Sequence, residues 1–186
     1  MSRAPYYEPA EDTDLLLAAL RQERLAGLRA CEVGPGSGVV SRAMMDAGAR
    51  VVAVEINPAA ARATRKLGVP VARGDLLSCV RGPFDRVAFN APYLPSSEEE
   101  RLPGDIDRAF HGGEGGVEVS IRFARDLPRV LAPGGRAYLV VSSRADLDAL
   151  AAAIREAGLR HEKVAAARFF FEEIAVWRIT RQARPA

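Results

Sequence analysis

The chain has 186 residues, a length that predicts one domain, residues 1–186, able to bury roughly two-thirds of its unfolded surface. Hydrophobic residues make up 48% and charged residues 27%, and no stretch approaches the ~18 apolar residues of a membrane-spanning helix, so we expect no membrane segment. The 26 basic and 24 acidic side chains leave a charge of +2, which gives no global attraction to nucleic acid. The first residues show no apolar signal segment and the two cysteines form no disulfide framework, so we expect a cytoplasmic protein.

Helix and strand signals alternate along the chain. Helices are predicted over 11–26, 39–47, 57–67, 117–130 and 145–157, and strands over 28–33, 51–54, 69–72, 84–89 and 137–141. Two further β-rich runs, 161–166 and 169–179, have no helix-length segment between them and should pair as an antiparallel hairpin. Continuous apolar strands between helices are typical of a parallel sheet covered on both faces. We therefore expect an α/β fold with a doubly wound, mostly parallel, seven-stranded Rossmann-like sheet and a C-terminal antiparallel hairpin.

Three other segments carry expectations of their own. The stretch 94–116 is rich in glycine and acids and too long for a plain connector, so we expect it to form part of a substrate wall. From Leu94 to Glu118 seven acids face two arginines, a local charge of −5. The run 133–135, Pro-Gly-Gly, predicts a turn. Four C-terminal aromatic residues are expected in the core or in sheet packing: Phe169, Phe170, Phe171 and Trp177.

A glycine-rich loop follows the first predicted strand. Gly34, Gly36 and Gly38 fall on a strand-to-helix turn, where a ligand can approach the backbone and the helix N-terminus offers unpaired N–H groups. The dinucleotide fingerprint needs its third glycine one residue later, so the match to a nicotinamide site is imperfect. Glu32, two residues before the first glycine, would repel a pyrophosphate but attract the α-ammonium group of S-adenosylmethionine. The loop therefore predicts an S-adenosylmethionine site.

Two more acids follow the next two predicted strands. Glu55 ends the second strand, where a carboxylate can accept both ribose hydroxyls, and this feature is shared by nicotinamide and adenosylmethionine sites. Asp75, after the third strand, could accept the exocyclic N–H of adenine. Each acid alone is also explained as a solvated strand end. Acids at three successive strand ends favour a cofactor site, because ligands bind at the carboxyl edge of such sheets.

The fourth predicted strand runs into Asn90, Ala91, Pro92 and Tyr93. Asn90 alone is also explained as a turn former after a strand. In this context the Asn90 side-chain oxygen and the Ala91 carbonyl could each accept one N–H of a planar NH2 group, and Tyr93 could pack on its plane. We count Asn90 among the cofactor-binding residues as well. The segment predicts methyl transfer to an amide or amino nitrogen, with catalysis by positioning rather than by a side-chain base.

These motifs together resemble a known family. The chain looks like a class I methyltransferase, specifically the HemK-like N5-glutamine methyltransferases that modify translation release factors, and the resemblance covers nearly the whole chain. It is nearest to the short archaeal and eukaryotic branch, which carries Tyr-Glu-Pro-Ala-Glu-Asp-Thr near its start, present here from Tyr7 to Thr13. The usual Asn-Pro-Pro-Tyr is changed here, because Ala91 replaces the first proline.

The resemblance implies roles for particular residues and for partners. Thr13, Glu32, Gly34, Glu55 and Asp75 would contact S-adenosylmethionine, and Asn90 would hold the target amide. The substrate would be the glutamine of a Gly-Gly-Gln loop in a class I release factor. A small zinc-binding activator subunit would cover apolar surface along a sheet edge, for which the third strand is the candidate.

Two other function classes remain open at this point. A nucleic acid adenine or guanine N-methyltransferase could use the same tetrapeptide, but it would need basic side chains for phosphates, and the 94–118 stretch is acidic. A non-catalytic adenosylmethionine-binding scaffold would not need Asn90 and Tyr93. His111 and His161 lack metal-ligand spacing, so no metal site is predicted. Tyr6 and Tyr7 are as consistent with packing the N-terminal segment onto the core as with a role in the site.

Overall fold

A computed structural model describes residues 6–93 and 114–182 of the chain. Five helices are present in these ranges: α1 (Glu11–Arg21), α2 (Val39–Asp46), α3 (Pro58–Lys66), α4 (Glu118–Val130) and α5 (Leu147–Glu156). Seven strands accompany them: β1 (Arg29–Val33), β2 (Arg50–Glu55), β3 (Val71–Arg73), β4 (Phe84–Asn90), β5 (Leu131–Ser142), β6 (Leu159–Phe169) and β7 (Glu172–Arg181). A short 3-10 turn, Glu114–Gly116, precedes α4. Most of the acidic 94–118 stretch lies outside the described residues.

The seven strands form one sheet in the order β3-β2-β1-β4-β5-β7-β6. Neighbouring strands from β3 to β5 pair in parallel, whereas β7 pairs antiparallel with both β5 and β6. The predicted fold class is confirmed, including the C-terminal hairpin and the position of β3 at a sheet edge. The carboxyl ends of the parallel strands therefore lie side by side along one side of the sheet, which we call its carboxyl edge, next to the turn that joins β6 to β7.

Helices cover both faces of the sheet. One buried cluster contains Phe123 and Leu127 of α4 and Leu150 and Ile154 of α5. A second cluster, on the other face, contains Leu16 and Leu20 of α1 together with residues of α2, including Met44. Helix α3 packs on β2 and β3 and is capped by Asn57, whose side chain accepts the Ala59 N–H at 2.8 Å. None of the helices in the described ranges is long and apolar enough to cross a membrane.

A buried ionic group fixes the end of α1 against the sheet. Glu23 accepts hydrogen bonds from Arg86 of β4 and Arg136 of β5, each at 2.7 Å, and from the Tyr138 hydroxyl. Burial alone would raise the pKa of Glu23, but the bonds from Tyr138, Arg136 and Arg86 lower it. Because α1 carries Thr13 in its first turn, this anchor also sets the position of one wall of the site.

Besides shifted ends of helices and strands, the structure differs from the sequence expectations in two places. The predicted turn at 133–135 lies inside β5, which bulges there: two residue steps on β4, from Phe84 to Arg86, face five on β5, from Leu131 to Arg136. The expectation that the C-terminal aromatics lie in the core or in sheet packing is wrong for Phe170 and Phe171, which are 93% and 87% exposed in the turn after β6, whereas Phe169 is the last residue of β6 and is 40% exposed. Trp177 is buried as expected.

Candidate active site

A cavity of about 620 Å³ opens at the carboxyl edge of the sheet. This volume is within the usual range for a small-molecule site. Its lining includes all the predicted site residues except Gly38: Thr13, Glu32, Gly34, Gly36, Glu55, Asp75, Asn90, Ala91, Pro92 and Tyr93. The N-terminal segment, with Tyr6, Tyr7 and Pro9, forms another wall.

The backbone geometry of the loop between β1 and α2 explains why two of its positions are glycine. Gly36 has a φ of +53°, and a Cβ built there would lie 3.0 Å from the Tyr7 carbonyl oxygen. Gly38 has a φ of +85°, and a Cβ there would lie 2.9 Å from the Thr64 hydroxyl oxygen of α3. Both positions combine a left-handed backbone with a close neighbour, so a side chain is disfavoured twice. Gly38 thus packs α2 against α3, while Gly36 lets the N-terminal segment cross the loop.

Glu32 is the most deeply buried acid of the cavity. It is the fourth residue of β1, is 2% exposed and accepts a hydrogen bond from the Ser41 hydroxyl of α2. Burial raises the pKa of Glu32 to about 7, against the lowering effect of the Ser41 bonds. A buried carboxylate of this kind is stabilised in its charged form by an adjacent cation. The position therefore suits an ammonium group of a ligand.

Glu55 is the last residue of β2 and is also buried. Its two oxygens accept the Gly36 N–H at 3.3 Å and the Asn57 N–H at 2.8 Å. Burial raises the pKa of Glu55, and these backbone bonds oppose the rise. The carboxylate is thereby held in one orientation at the strand end, facing the cavity that its side chain helps to line.

Asp75 is paired with a residue that the sequence did not single out. Its carboxylate forms an ion pair with Arg122 of α4, and both side chains are partly exposed at the mouth of the cavity. Such an exposed pair contributes little to stability. It places one guanidinium group beside the position predicted for adenine.

Asp12 connects three parts of the site and was not predicted as a site residue. Its buried carboxylate accepts hydrogen bonds from the Tyr7 hydroxyl at 2.7 and 2.8 Å and from the Tyr93 hydroxyl at 3.1 Å. It also accepts the Thr13 N–H at 2.6 Å. Burial and the neighbouring Asp12 raise the pKa of both tyrosines, so the phenols remain proton donors. The N-terminal segment, α1 and the loop after β4 are thus joined at one side chain.

Acids dominate the charge of the cavity wall. Glu172, at the start of β7, is a further lining residue that sequence reasoning missed, and its carboxylate accepts the Ser142 hydroxyl at 2.5 Å. Among residues 6–93 and 114–182, five acids line the cavity: Asp12, Glu32, Glu55, Asp75 and Glu172. Arg122 is the basic residue among the described lining residues, and it is already paired with Asp75. A polyphosphate or a nucleic acid backbone would therefore meet net repulsion here.

The residues present fit S-adenosylmethionine. Glu32 provides a buried anion for the α-ammonium group, and Glu55 provides two acceptor oxygens where ribose hydroxyls would lie. Within the described part of the chain, no group of three or more His, Cys, Asp and Glu side chains is placed to hold a metal ion. Asn90, the last residue of β4, and the following Ala91, Pro92 and Tyr93 line the same cavity, at the end of the strand that neighbours β1. The arrangement can hold a cofactor and a second substrate side by side.

Comparison with known proteins gives a consistent assignment. The chain is 34% identical over 183 residues to a protein of Methanocaldococcus jannaschii named provisionally as a protein N5-glutamine methyltransferase, covering 93% of this chain and 92% of the relative. It is 34% identical over 191 residues to methyltransferase HEMK2 of Homo sapiens, covering 94% and 89%. No family model matches the chain.

A solved structure agrees with these sequence relatives. The E. cuniculi Mtq2-Trm112 complex, described as responsible for methylation of the translation termination factor eRF1, has a chain with a TM-score of 0.78 and 26% identity. The match covers 95% of this chain and 99% of that one. With the cavity, the acid set and the Asn90–Tyr93 loop in place, the chain belongs to the HemK-like protein N5-glutamine methyltransferases, a family of S-adenosylmethionine-dependent enzymes.

Proposed function

We propose that this enzyme methylates the side-chain amide nitrogen of the glutamine in the Gly-Gly-Gln loop of a class I peptide-chain release factor. The observation that carries the proposal is the loop Asn90–Tyr93, which shares one cavity with the buried carboxylates Glu32 and Glu55. An amide-holding loop and a site suited to S-adenosylmethionine then face each other. The described residues form one sheet covered on both faces, which supports a single methyltransferase domain over 1–186.

Each predicted residue has a defined task in this proposal. Glu32 binds the cofactor's ammonium group, Glu55 its ribose hydroxyls and Asp75 its adenine amino group, with Thr13 and the glycine loop alongside. S-adenosylmethionine supplies the activated methyl group. The Asn90 side-chain oxygen and the Ala91 carbonyl each accept one amide N–H of the glutamine, and Tyr93 packs on the amide plane.

Positioning accounts for the catalysis in this arrangement. An amide nitrogen is a weak nucleophile, and none of the assigned tasks deprotonates it. Holding two reactants in a near-attack arrangement can supply ~7–11 kcal/mol of a barrier. The N–H proton that the methyl group replaces is released to solvent, which reaches the cavity where Asp75 and Arg122 are partly exposed at its mouth. The missing proline at position 91 does not remove the carbonyl oxygen on which this role depends.

The charge of the cavity supports a protein substrate over a nucleic acid. Five acids against one paired arginine give a wall that repels phosphates and tolerates a glycine-rich protein loop. Glycines beside the target glutamine would let its side chain reach the recessed Asn90 without a clash. The relatives' names, and the methylation of eRF1 described for the E. cuniculi complex, support the same substrate class.

A partner subunit and a location complete the proposal. The likeness to a chain of the Mtq2-Trm112 complex supports a partner subunit for this chain, which the family resemblance describes as small and zinc-binding and for which the edge strand β3 is the candidate surface. We infer a cytoplasmic location, because the proposed substrate belongs to the translation machinery.

Methyl transfer from labelled cofactor tests the proposal. The purified chain, with and without the partner subunit, is incubated with tritiated S-adenosylmethionine and with either a class I release factor or duplex DNA. We expect label on the release factor at the Gly-Gly-Gln glutamine, lost when that glutamine is replaced, and a rate that falls as salt rises. DNA should neither be labelled nor compete. Labelling of DNA at a comparable rate would overturn the substrate assignment.

A further inference from the structure

Phe170 and Phe171 are exposed side by side at the turn between β6 and β7. Their side chains are 93% and 87% exposed, and their rings contact each other edge to face with centroids 4.7 Å apart. We call this pair the aromatic tip. Each phenylalanine carries roughly 150–250 Å² of surface that could be buried. Paired apolar exposure of this kind is typical of interaction sites.

The aromatic tip is held in place by the end of β5. The Ser143 N–H donates to the Glu173 carbonyl at 2.8 Å, and the Glu173 N–H donates to the Ser143 hydroxyl at 2.9 Å. The Ser142 hydroxyl donates to the Glu172 carboxylate. These bonds tie the residues after the tip to the carboxyl end of a central strand. The tip is therefore presented from a fixed base.

The aromatic tip lies beside the mouth of the active-site cavity. Glu172, the residue that follows Phe171, lines this cavity. In the sheet order β7 is two strand spacings from β4, or ~10 Å, and β4 ends in Asn90. A protein loop that delivers a glutamine to Asn90 would bring its flanking surface within reach of the tip.

We propose that the aromatic tip is a docking surface for the protein substrate, contacting apolar side chains beside the loop that carries the target glutamine. The inference rests on the proposed function. A protein substrate is favoured over the partner subunit, because β3, the candidate edge for that subunit, is five strand spacings from β7, or ~24 Å. It is favoured over a small ligand because the two rings project outward rather than lining the cavity.

Kinetics on a large and a small substrate test the proposal. The double variant Phe170→Ala/Phe171→Ala is compared with Val164→Ala, a control that trims an exposed apolar residue of β6 in the same hairpin. Each is assayed on an intact release factor and on a short peptide containing Gly-Gly-Gln. We expect KM for the intact protein to rise roughly tenfold or more in the double variant, as for loss of an aromatic hot spot. The double variant should match the wild type in kcat, in affinity for S-adenosylmethionine and in its kinetics on the peptide. Val164→Ala should match the wild type in all of these measurements and in KM for the intact protein.

Three results would overturn docking by the aromatic tip. The first is an unchanged KM for the intact protein. The second is an equal loss on protein and peptide, which would mean that the tip supports the cavity itself. The third is a wild-type dimer, seen by sedimentation, that the double variant cannot form, which would make the tip a contact between copies of this chain. A wild-type enzyme that fails on the release factor removes the proposed function and this inference together, whereas an active wild type with an unaffected variant removes the inference alone.

Discussion

Asn90 and Asp75 lie at different parts of one cavity, which allows their roles to be separated. Asn90→Ala should lower turnover roughly 100-fold or more, because the target amide loses an acceptor that fixes its orientation. Its effect on affinity for S-adenosylmethionine should be smaller than that of Asp75→Ala, for which we expect a loss of about fivefold to tenfold. Calorimetry with the cofactor and single-turnover rates measure the two effects. Wild-type turnover in Asn90→Ala would contradict the assigned role.

Glu32 gives cofactor binding a dependence on pH. Burial raises the pKa of Glu32 to about 7 in the free protein, and a bound ammonium group would lower it. Below about pH 7 the Glu32 carboxyl is protonated in the free protein and must lose its proton when the cofactor binds. The affinity for S-adenosylmethionine should therefore fall by up to about tenfold for each unit by which the pH is lowered. Above about pH 7 Glu32 is already ionised and adds no further dependence on pH, and affinity should fall again where the cofactor's ammonium group loses its own proton.

A variant isolates the contribution of Glu32. Glu32→Gln should bind S-adenosylmethionine more weakly at pH 8 and should show less dependence on pH between 6 and 8. Glu55, whose pKa is also raised by burial, is present in both proteins, and its charge is one cause of the raised pKa of Glu32, so the comparison reports on this coupled pair of carboxyls. Calorimetric titrations at several pH values measure this. An unaltered pH profile in Glu32→Gln would mean that another group titrates on binding.

Sequence reasoning picked out the cavity residues that lie at or near the carboxyl ends of strands, since a strand end is visible as an apolar run with an acid or an amide at its close. Glu32, Glu55, Asp75 and Asn90 are of this kind. Arg122 and Glu172 were missed because they reach the cavity from α4 and β7, which the sequence places far from the motifs. Their place at the cavity depends on helix packing and on strand order, neither of which has a local signal.

Asp12 makes the N-terminal segment, α1 and the Asn90–Tyr93 loop interdependent. Asp12→Ala should remove the carboxylate to which the Tyr7 and Tyr93 hydroxyls both donate, at a cost of roughly 2 kcal/mol in the free energy of unfolding. Turnover should fall as well, because Tyr93 is no longer oriented. Thermal unfolding and kinetics measure the two effects.

A neighbouring acid provides the control for this variant. Asp14 lies in the same first turn of α1 but is exposed, so Asp14→Ala removes an equal charge from the helix N-terminus without touching either tyrosine. Tyr93→Phe should reproduce part of the loss in turnover, since it removes the bond to Asp12 and keeps the ring. Equal effects of Asp12→Ala and Asp14→Ala would reduce the role of Asp12 to helix electrostatics.

At the scale of elements, periodicity predicted which segments are helices and strands better than where they end. The helix predicted over 11–26 ends at Arg21, and β5 extends through the 133–135 run as a bulged strand. A Pro-Gly-Gly run marks a break in regular geometry, but whether the strand resumes afterwards depends on its pairing with β4. The exposure of Phe170 and Phe171 could not be foreseen either, because hydrophobicity alone predicts burial.

The two edge strands of the sheet, β6 and β3, differ in how well they could accept a strand from a partner protein. At one end β6 is long and carries charged residues along its length, among them Arg160, Glu162 and Lys163. At the other end β3 has three residues, and the exposed Leu67 precedes it. Charged side chains along an edge resist strand addition, so the long, charged edge of β6 is poorly suited to it and β3 remains the candidate. The molecule thus separates a candidate edge for a partner subunit from the substrate side of the hairpin.

Hydrogen bonds show which groups of β3 are available for such an addition. The Ala53 N–H of β2 donates to the Pro70 carbonyl at 2.8 Å, and the Gly74 N–H donates to the Glu55 carbonyl at 3.2 Å. Because strand residues alternate in direction, Ala72 also faces β2, and the N–H groups of Val71 and Arg73 face away from it. A strand of the partner would pair with these outward groups.

Arg73→Pro should therefore weaken binding of the small zinc-binding subunit while the fold is retained, because proline removes an outward N–H and leaves the bonds to β2 in place. Arg73→Ala, which removes the side chain and keeps the N–H, is the matched control and should bind like the wild type. Calorimetry with the purified subunit measures affinity, and circular dichroism with thermal unfolding checks the fold. Equal binding by both variants would exclude addition at β3, and full activity of the isolated chain as a monomer in light scattering would show that no partner is required.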